Sequence, residues 1–113
     1  MRELNGRLSD RGYRIPFDMR LIIRPEAGDE LLEAIDWYEG RNPGLGSDLL
    51  RCVDACIQRI LRHPECYPVV HRETRMGIVR RFPYLLLYRV TEETVFVVAI
   101  FHAKRDPKIW KAR

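Results

Sequence analysis

One stretch of the sequence, from Arg80 to Val90, places two arginines beside aromatic side chains. It reads Arg-Arg-Phe-Pro-Tyr-Leu-Leu-Leu-Tyr-Arg-Val, with a proline-containing corner between two apolar segments. Guanidinium groups bind phosphates, and aromatic rings stack on nucleobases. An antiparallel sheet formed here would hold both kinds of side chain together, so the stretch predicts a surface that contacts phosphates or bases.

The strand register decides which arginine reaches such a surface. Arg80 and Arg81 occupy successive positions of a predicted strand from Met76 to Phe82, so their side chains point to opposite faces. Because Phe82 begins the corner, we favour Arg81 on the exposed face, although a slip of one residue would exchange the two.

His102, at the end of a later apolar segment, is the residue best suited to acid–base chemistry, because imidazoles exchange protons near neutral pH. Tyr84 or Tyr88 could stack on a base or donate a proton. Phosphates could be held by three further cations, Arg75, Lys104 and Arg105.

Each of these residues also has a purely structural interpretation. His102 could cap the strand end and bond Asp106, and Arg105 with Asp106 could form a surface pair of little energetic value. The two tyrosines are the kind of residue that more often fills a core or covers a sheet than performs catalysis.

Length and composition predict one small cytoplasmic domain. The 113 residues, 46% of them hydrophobic, suit a single globular core. No apolar run approaches the roughly 20 residues of a membrane span, and the N-terminal sequence lacks the apolar core of a secretory signal. We therefore expect no membrane association.

The three cysteines predict no cofactor. A zinc site from Cys52, Cys56, His63 and Cys66 is conceivable, but no paired Cys-x-x-Cys spacing supports it. Small buried thiols are the better interpretation. We therefore expect neither a metal nor another cofactor.

The positive charge is concentrated in the C-terminal part of the chain. Residues 71–113 carry ten basic and four acidic side chains, a net +6, whereas residues 19–70 carry six basic and nine acidic, a net −3. An anionic partner is expected to dock on the basic part, unless this is only a solvated face.

The N-terminal half predicts an extension, a strand and two helices. Residues 1–18 lack periodicity and are expected to be a loose extension, with the domain at 19–113. A strand covers Arg20 to Arg24, and a helix begins at Pro25. After a turn from Gly40 to Gly46, Ser47 is the expected N-cap of a helix that runs to about His63.

The C-terminal half predicts a sheet. After a loop at 64–74, strands are expected at Met76–Phe82, Tyr84–Val90 and Val95–His102, the last an inner strand. Asp106-Pro107 then opens a terminal turn or short helix. The order β-α-α-β-β-β predicts an α+β fold, in which a helical hairpin packs on one face of a twisted, mainly antiparallel sheet.

Four segments follow one another along the chain: Glu33-Ala-Ile-Asp-Trp-Tyr-Glu39, Pro43-Gly-Leu-Gly46, Arg80-Arg-Phe-Pro-Tyr84 and His102-Ala-Lys-Arg-Asp-Pro107 with Trp110 and Arg113. Together and in this order they resemble the RelE/ParE toxin superfamily of type II toxin–antitoxin, or plasmid-stabilisation, modules. The resemblance covers about Met19 to Arg113. It implies a basic, growth-inhibiting toxin that forms a hetero-oligomer with a cognate antitoxin.

The resemblance leaves the target, and whether the protein is an enzyme, open between branches. RelE-like members cut messenger RNA on the ribosome, and some carry a catalytic arginine near the position of Arg81, for which His102 would be the acid–base partner. ParE-like members inhibit DNA gyrase without hydrolysis. Residues 64–79 lack the lysines typical of the nucleases, which favours gyrase; an inactive, antitoxin-binding homologue is the third possibility.

Overall fold

The computed structural model describes residues 19–113, so the extension expected at 1–18 lies outside the described residues. The elements in chain order are β1 Arg20–Ile23, α1 Pro25–Arg41, α2 Leu45–Arg62, β2 Val69–His71, β3 Thr74–Ile78, β4 Tyr84–Thr91, β5 Thr94–His102 and α3 Lys108–Lys111. No helix within residues 19–113 is long and apolar enough to cross a membrane.

The strands form one mixed sheet in the order β1-β5-β4-β3-β2. The β1 strand pairs with β5 in parallel, and the other neighbours are antiparallel. The expected inner strand is therefore β5, which has strands on both sides and fully buried residues along most of its length. This explains its nearly continuous apolar sequence.

The two long helices pack on one face of the sheet, as expected. Their apolar stripes supply most of the main core. Within it, Leu49, Val53 and Ile60 of α2 expose at most 1% of their surface to solvent. The opposite face has a smaller core of Leu87, Ala99, Phe101 and Trp110. Trp110 lies on α3, so the short terminal helix covers this second face.

The start of α2 differs from the prediction. The helix begins at Leu45 with Gly44 as its N-cap, at φ 91°, so Ser47 already lies inside it. The Glu39 carboxylate of α1 accepts hydrogen bonds from the Gly44 and Gly46 amides, both at 2.9 Å. Because a side chain from the preceding helix caps α2, the local Ser signal was misleading.

The sheet also differs from the prediction at two places. The expected loop at 64–74 contains the short edge strand β2, and β3 begins at Thr74 rather than Met76. The β3 strand ends at Ile78, so Arg80 and Arg81 lie in the following turn. Their expected alternation on a strand is wrong, because that alternation needs extended backbone and Arg81 has φ 74°.

Candidate target-binding site

Two turns meet at one end of the sheet and position most of the predicted site residues. The β3–β4 turn is closed by hydrogen bonds from the Val79 amide to the Tyr84 carbonyl (3.0 Å) and from the Tyr84 amide to the Phe82 carbonyl (2.8 Å). The Ala103 amide, just after β5, donates to the Pro83 carbonyl at 2.8 Å. The basic turn 79–83 and the basic segment 102–105 therefore lie side by side.

Arg81 leaves its turn toward the helices. Its guanidinium lies 3.6 Å from the Asp48 carboxylate in the first turn of α2, and 5.6 Å from the ring centroid of Phe82. The side chain is 61% exposed. Arg81 is thus an exposed cation that, among residues 19–113, faces one distant counter-charge, and its neighbour Arg80 is exposed as well.

His102 lies opposite Tyr84 at the end of the β4–β5 ladder. Their ring centroids are 5.2 Å apart in an edge-to-face arrangement. The Lys104 amide donates to His102 Nδ1 at 3.1 Å, so the ring proton of the neutral imidazole is on Nε2. Asp106 accepts the Lys108 amide at 3.0 Å, at the start of α3, and the His102 carbonyl accepts the Arg105 amide at 3.0 Å. The described residues show no His102–Asp106 bond.

Tyr84 connects this histidine to the helices. Burial raises the pKa of the Tyr84 hydroxyl, with a further rise from nearby Tyr38 and a partial opposing effect from Arg105. The hydroxyl therefore keeps its proton at neutral pH and is a hydrogen-bond donor rather than a base. The exposed Arg105 lies with its guanidinium 5.0 Å from the Phe101 ring centroid.

Five rings form a continuous series, which we call the aromatic strip. Tyr38 is at the centre, with its ring centroid 4.9 Å from that of Trp37, 5.0 Å from that of Phe82 and 6.3 Å from that of Tyr84. The Tyr84 centroid is in turn 5.2 Å from that of His102. Trp37 is 54% exposed and carries the Arg41 guanidinium 4.2 Å from its ring centroid.

Sequence reasoning missed Trp37, Arg41 and Asp48 as members of this site. Trp37 lies next to Tyr38, which packs against the core, and the sequence alone does not show that Trp37 remains exposed. Asp48 is far from Arg81 in sequence. The available signal was a tryptophan four positions before an arginine on a predicted helix, a spacing that places the two side chains side by side.

Two predicted site residues lie elsewhere. Tyr88 is completely buried, its hydroxyl donates to the Pro64 carbonyl at 2.8 Å, and burial raises its pKa. Its strand partner Arg75 donates to the Tyr67 carbonyl at 2.7 Å. Both lie four residues along the ladder from Tyr84, about 13 Å away, and both brace the loop before β2.

The cysteines do not form a ligand set. Within residues 19–113 no group of three or more His, Cys, Asp or Glu side chains is close enough to hold a metal ion. Cys56 is buried, as expected, with its Sγ 3.9 Å from the Tyr67 hydroxyl, and burial raises its pKa. The expectation of burial is wrong for Cys66, which is exposed.

A family model described as "ParE toxin of type II toxin-antitoxin system, parDE" matches residues 21–107. Two relatives named Toxin ParE2 come from Mycobacterium tuberculosis, strains CDC 1551 / Oshkosh and ATCC 25618 / H37Rv. Each is 29% identical over 94 residues, covering 82% of this chain and 90% of the relative.

A solved structure titled "Chromosomal ParDE TA system from P. aeruginosa" has a similar fold. The TM-score is 0.68 at 15% identity, and the match covers 78% of this chain and 99% of that chain. The α+β fold and the resemblance to the RelE/ParE superfamily are thereby confirmed.

Proposed function

Because the chain belongs to the ParE toxin family of type II toxin–antitoxin systems, we propose that it arrests growth by binding DNA gyrase and that a cognate antitoxin neutralises it. The alternative is cleavage of messenger RNA. A gyrase target implies action in the cytoplasm.

The separate engagement of the two candidate catalytic side chains carries this proposal. The Arg81 guanidinium faces Asp48 on α2, whereas the His102 ring faces Tyr84 and accepts the Lys104 amide. RNA cleavage needs a base, an acid and a cation converging on one phosphate. Exposed arginines arranged along a surface with an exposed tryptophan and half-buried rings are better suited to binding a macromolecule.

The lysine content supports the same choice. Residues 64–79 contain no lysine. Arg75, on β3, donates a hydrogen bond to the Tyr67 carbonyl. A ribosome-directed nuclease needs many phosphate contacts, because these supply most of its affinity for RNA. The cations available here are instead grouped around the aromatic strip.

The same basic end of the sheet is the proposed landing place of the antitoxin. Arg80, Arg81 and Arg105 are exposed there beside half-buried aromatic rings. An acidic tail crossing this end would neutralise the three cations, while its apolar side chains would lie beside the helices. The resulting complex would be a toxin–antitoxin hetero-oligomer.

The direct test is gyrase supercoiling with purified full-length protein. We expect inhibition by the native chain and by His102→Ala, since the proposal needs no proton transfer, and weaker inhibition by Arg81→Gln. Asp54→Asn, an exposed position elsewhere on α2, is the control and should inhibit normally. Unchanged supercoiling alongside growth arrest in cells would exclude gyrase as the target.

The nuclease remains the second candidate, because Tyr84, His102, Lys104 and Arg105 lie at one end of the sheet. Primer extension on translated messages distinguishes it: cuts that disappear in His102→Ala would establish cleavage. A third experiment measures cell growth when the native chain is overexpressed without its antitoxin. A harmless native chain would identify an inactive, antitoxin-binding homologue.

A further inference from the structure

We propose that Asp48 is a built-in competitor for Arg81: it occupies the arginine in the free protein and is displaced when an acidic peptide segment docks on the aromatic strip. The proposal rests on the proposed function in one respect, since the antitoxin is the partner expected to supply such a segment. It assigns to Asp48 the role of setting the affinity of that contact.

The Asp48–Arg81 pair has the geometry of a contact that is easily exchanged. The Oδ2 to guanidinium distance of 3.6 Å is longer than a good charged hydrogen bond, and the two side chains are 32% and 61% exposed. Exposed pairs of this kind contribute little to stability, because water and ions screen them. A partner carboxylate with better geometry can therefore replace Asp48 at small cost.

Asp48 is held in place without Arg81. Its Oδ1 accepts a hydrogen bond from Arg51 at 3.0 Å. It also lies in the first turn of α2, where the helix dipole favours a negative charge. The carboxylate therefore keeps its position when Arg81 turns to a partner, and docking requires no rearrangement of the helix.

Arg81 is fixed by its backbone rather than by Asp48. Its φ of 74° belongs to the left-handed region, which is unfavourable for a residue with a side chain. The turn nevertheless holds this conformation through the bonds of its neighbours Val79 and Tyr84. The backbone of Arg81 is thus held at the same place whether or not Asp48 is charged, and the exposed side chain is free to turn to a partner.

The surroundings select an acidic segment that also carries apolar side chains. The exposed Trp37 carries the Arg41 guanidinium over its ring, and Arg81 adds a second cation beside the buried Phe82. Aromatic surface combined with arginine is the composition of interaction hot spots. Two acidic side chains of the described residues, Glu39 and Asp106, accept hydrogen bonds from backbone amides: Glu39 from Gly44 and Gly46, and Asp106 from Lys108. Asp48 differs from these two, because one of its oxygens faces Arg81, where it competes with a partner carboxylate.

The test measures binding of a short fluorescein-labelled peptide of alternating glutamate and leucine to the full chain, by anisotropy and by Trp37 emission. The matched peptide has glutamine in place of glutamate. We expect the native protein to bind the acidic peptide more tightly than the neutral one. Asp48→Asn should tighten binding of the acidic peptide about 2–5-fold, the equivalent of one exposed ion pair.

Two further variants separate competition from other effects. Asp54→Asn changes the net charge equally at an exposed position of α2 and should leave affinity unchanged. Arg81→Gln should weaken binding, and adding Asp48→Asn to it should restore nothing, because the competitor then has no arginine to occupy. Circular dichroism establishes that each variant is folded.

The proposal is overturned if Asp48→Asn weakens binding or leaves it unchanged, which a merely structural Asp48 would produce. It is also overturned if Asp54→Asn tightens binding equally, or if neither peptide binds. These outcomes are independent of gyrase supercoiling, so a failure of this inference is distinguishable from a failure of the proposed target.

Discussion

Glu30 and Arg113 lie 83 residues apart in the chain and form a bidentate ion pair. The guanidinium nitrogens are 3.1 Å from Glu30 Oε1 and 2.9 Å from Oε2, and the side chains are only 12% and 18% exposed. Arg113 also donates to the Val98 carbonyl at 3.0 Å, and Oε1 accepts the Ile100 amide at 3.1 Å. The pair thus connects α1 and β5 with Arg113, two residues after α3.

The position of this pair is explained by the end of β1. The parallel β1–β5 ladder reaches only Ile23 opposite Val97, and the β4–β5 register shifts at the same point, from Tyr88–Val97 to Leu87–Ala99. Val98 is therefore a bulge residue at the point where β5 loses its outer neighbour. Glu30 and Arg113 supply the hydrogen bonds that a longer β1 would have provided.

Arg113→Ala should lower the free energy of unfolding by about 2–3 kcal/mol, because it leaves the mostly buried Glu30 carboxylate without its cation and the Val98 carbonyl without a donor. Urea denaturation followed by circular dichroism measures the loss. Lys108→Ala, an exposed lysine at the start of the same terminal helix, should stay within about 0.5 kcal/mol. Equal losses in both variants would contradict a specific role for the pair.

The sequence was a good guide where burial alone determines structure. The apolar stripe of α2 and the inner position of β5 follow from periodicity, since burying a hydrophobic face outweighs other local preferences. The first strand and the start of α1 at Pro25 were likewise predicted correctly.

Features that depend on contacts between distant residues were not predictable in this way. Whether Arg81 lies on a strand or in a turn depends on where β3 stops pairing with β4, and its left-handed backbone has no signal in an arginine. Its approach to Asp48 needs the final packing of α2 against the turn. Residue type therefore indicated candidate residues, most of which lie at one end of the sheet, but it could not indicate how they pair.

Gly46→Ala should destabilise the protein by about 1–3 kcal/mol, because a Cβ there would lie 2.7 Å from the Ile35 carbonyl oxygen of the neighbouring helix. The clash is between the backbone of α2 and a backbone oxygen of α1, so it can be relieved only by moving one helix away from the other. Gly28→Ala is the matched control: it has no heavy atom within 4 Å and lies in α1, so it should stabilise by about 0.5–1 kcal/mol. In thermal melting, Gly46→Ala is therefore expected to lower the melting temperature and Gly28→Ala to raise it.

Glu39→Ala should cost about 0.5–2 kcal/mol, the range of a lost helix cap, since the Gly44 and Gly46 amides lose their shared acceptor. Glu33→Ala, exposed on the same helix, is expected to be nearly neutral. Amide hydrogen exchange gives the more specific measurement. Faster exchange at Gly44 and Gly46 should appear only in the Glu39 variant, and unchanged exchange would argue against the cap.

The buried hydroxyls and thiol predict a loss of stability in alkali. Burial raises the pKa of Tyr67, Tyr84 and Tyr88 above the ordinary 10.0, and that of Cys56 above 9.0. The folded protein then keeps protons that the unfolded chain releases, so the stabilising contribution is complete below these ordinary values and is lost as pH rises beyond them. The free energy of unfolding should fall from about pH 9 upward.

Tyr88→Phe isolates the largest of these contributions. The variant loses the hydrogen bond to the Pro64 carbonyl and should be about 1 kcal/mol less stable at neutral pH. Its stability should nevertheless decline less steeply above pH 10, because one proton fewer is released on unfolding. Urea denaturation across the alkaline range measures both effects. Parallel pH profiles for the variant and the native chain would show that Tyr88 ionises as easily in the folded protein as in the unfolded one.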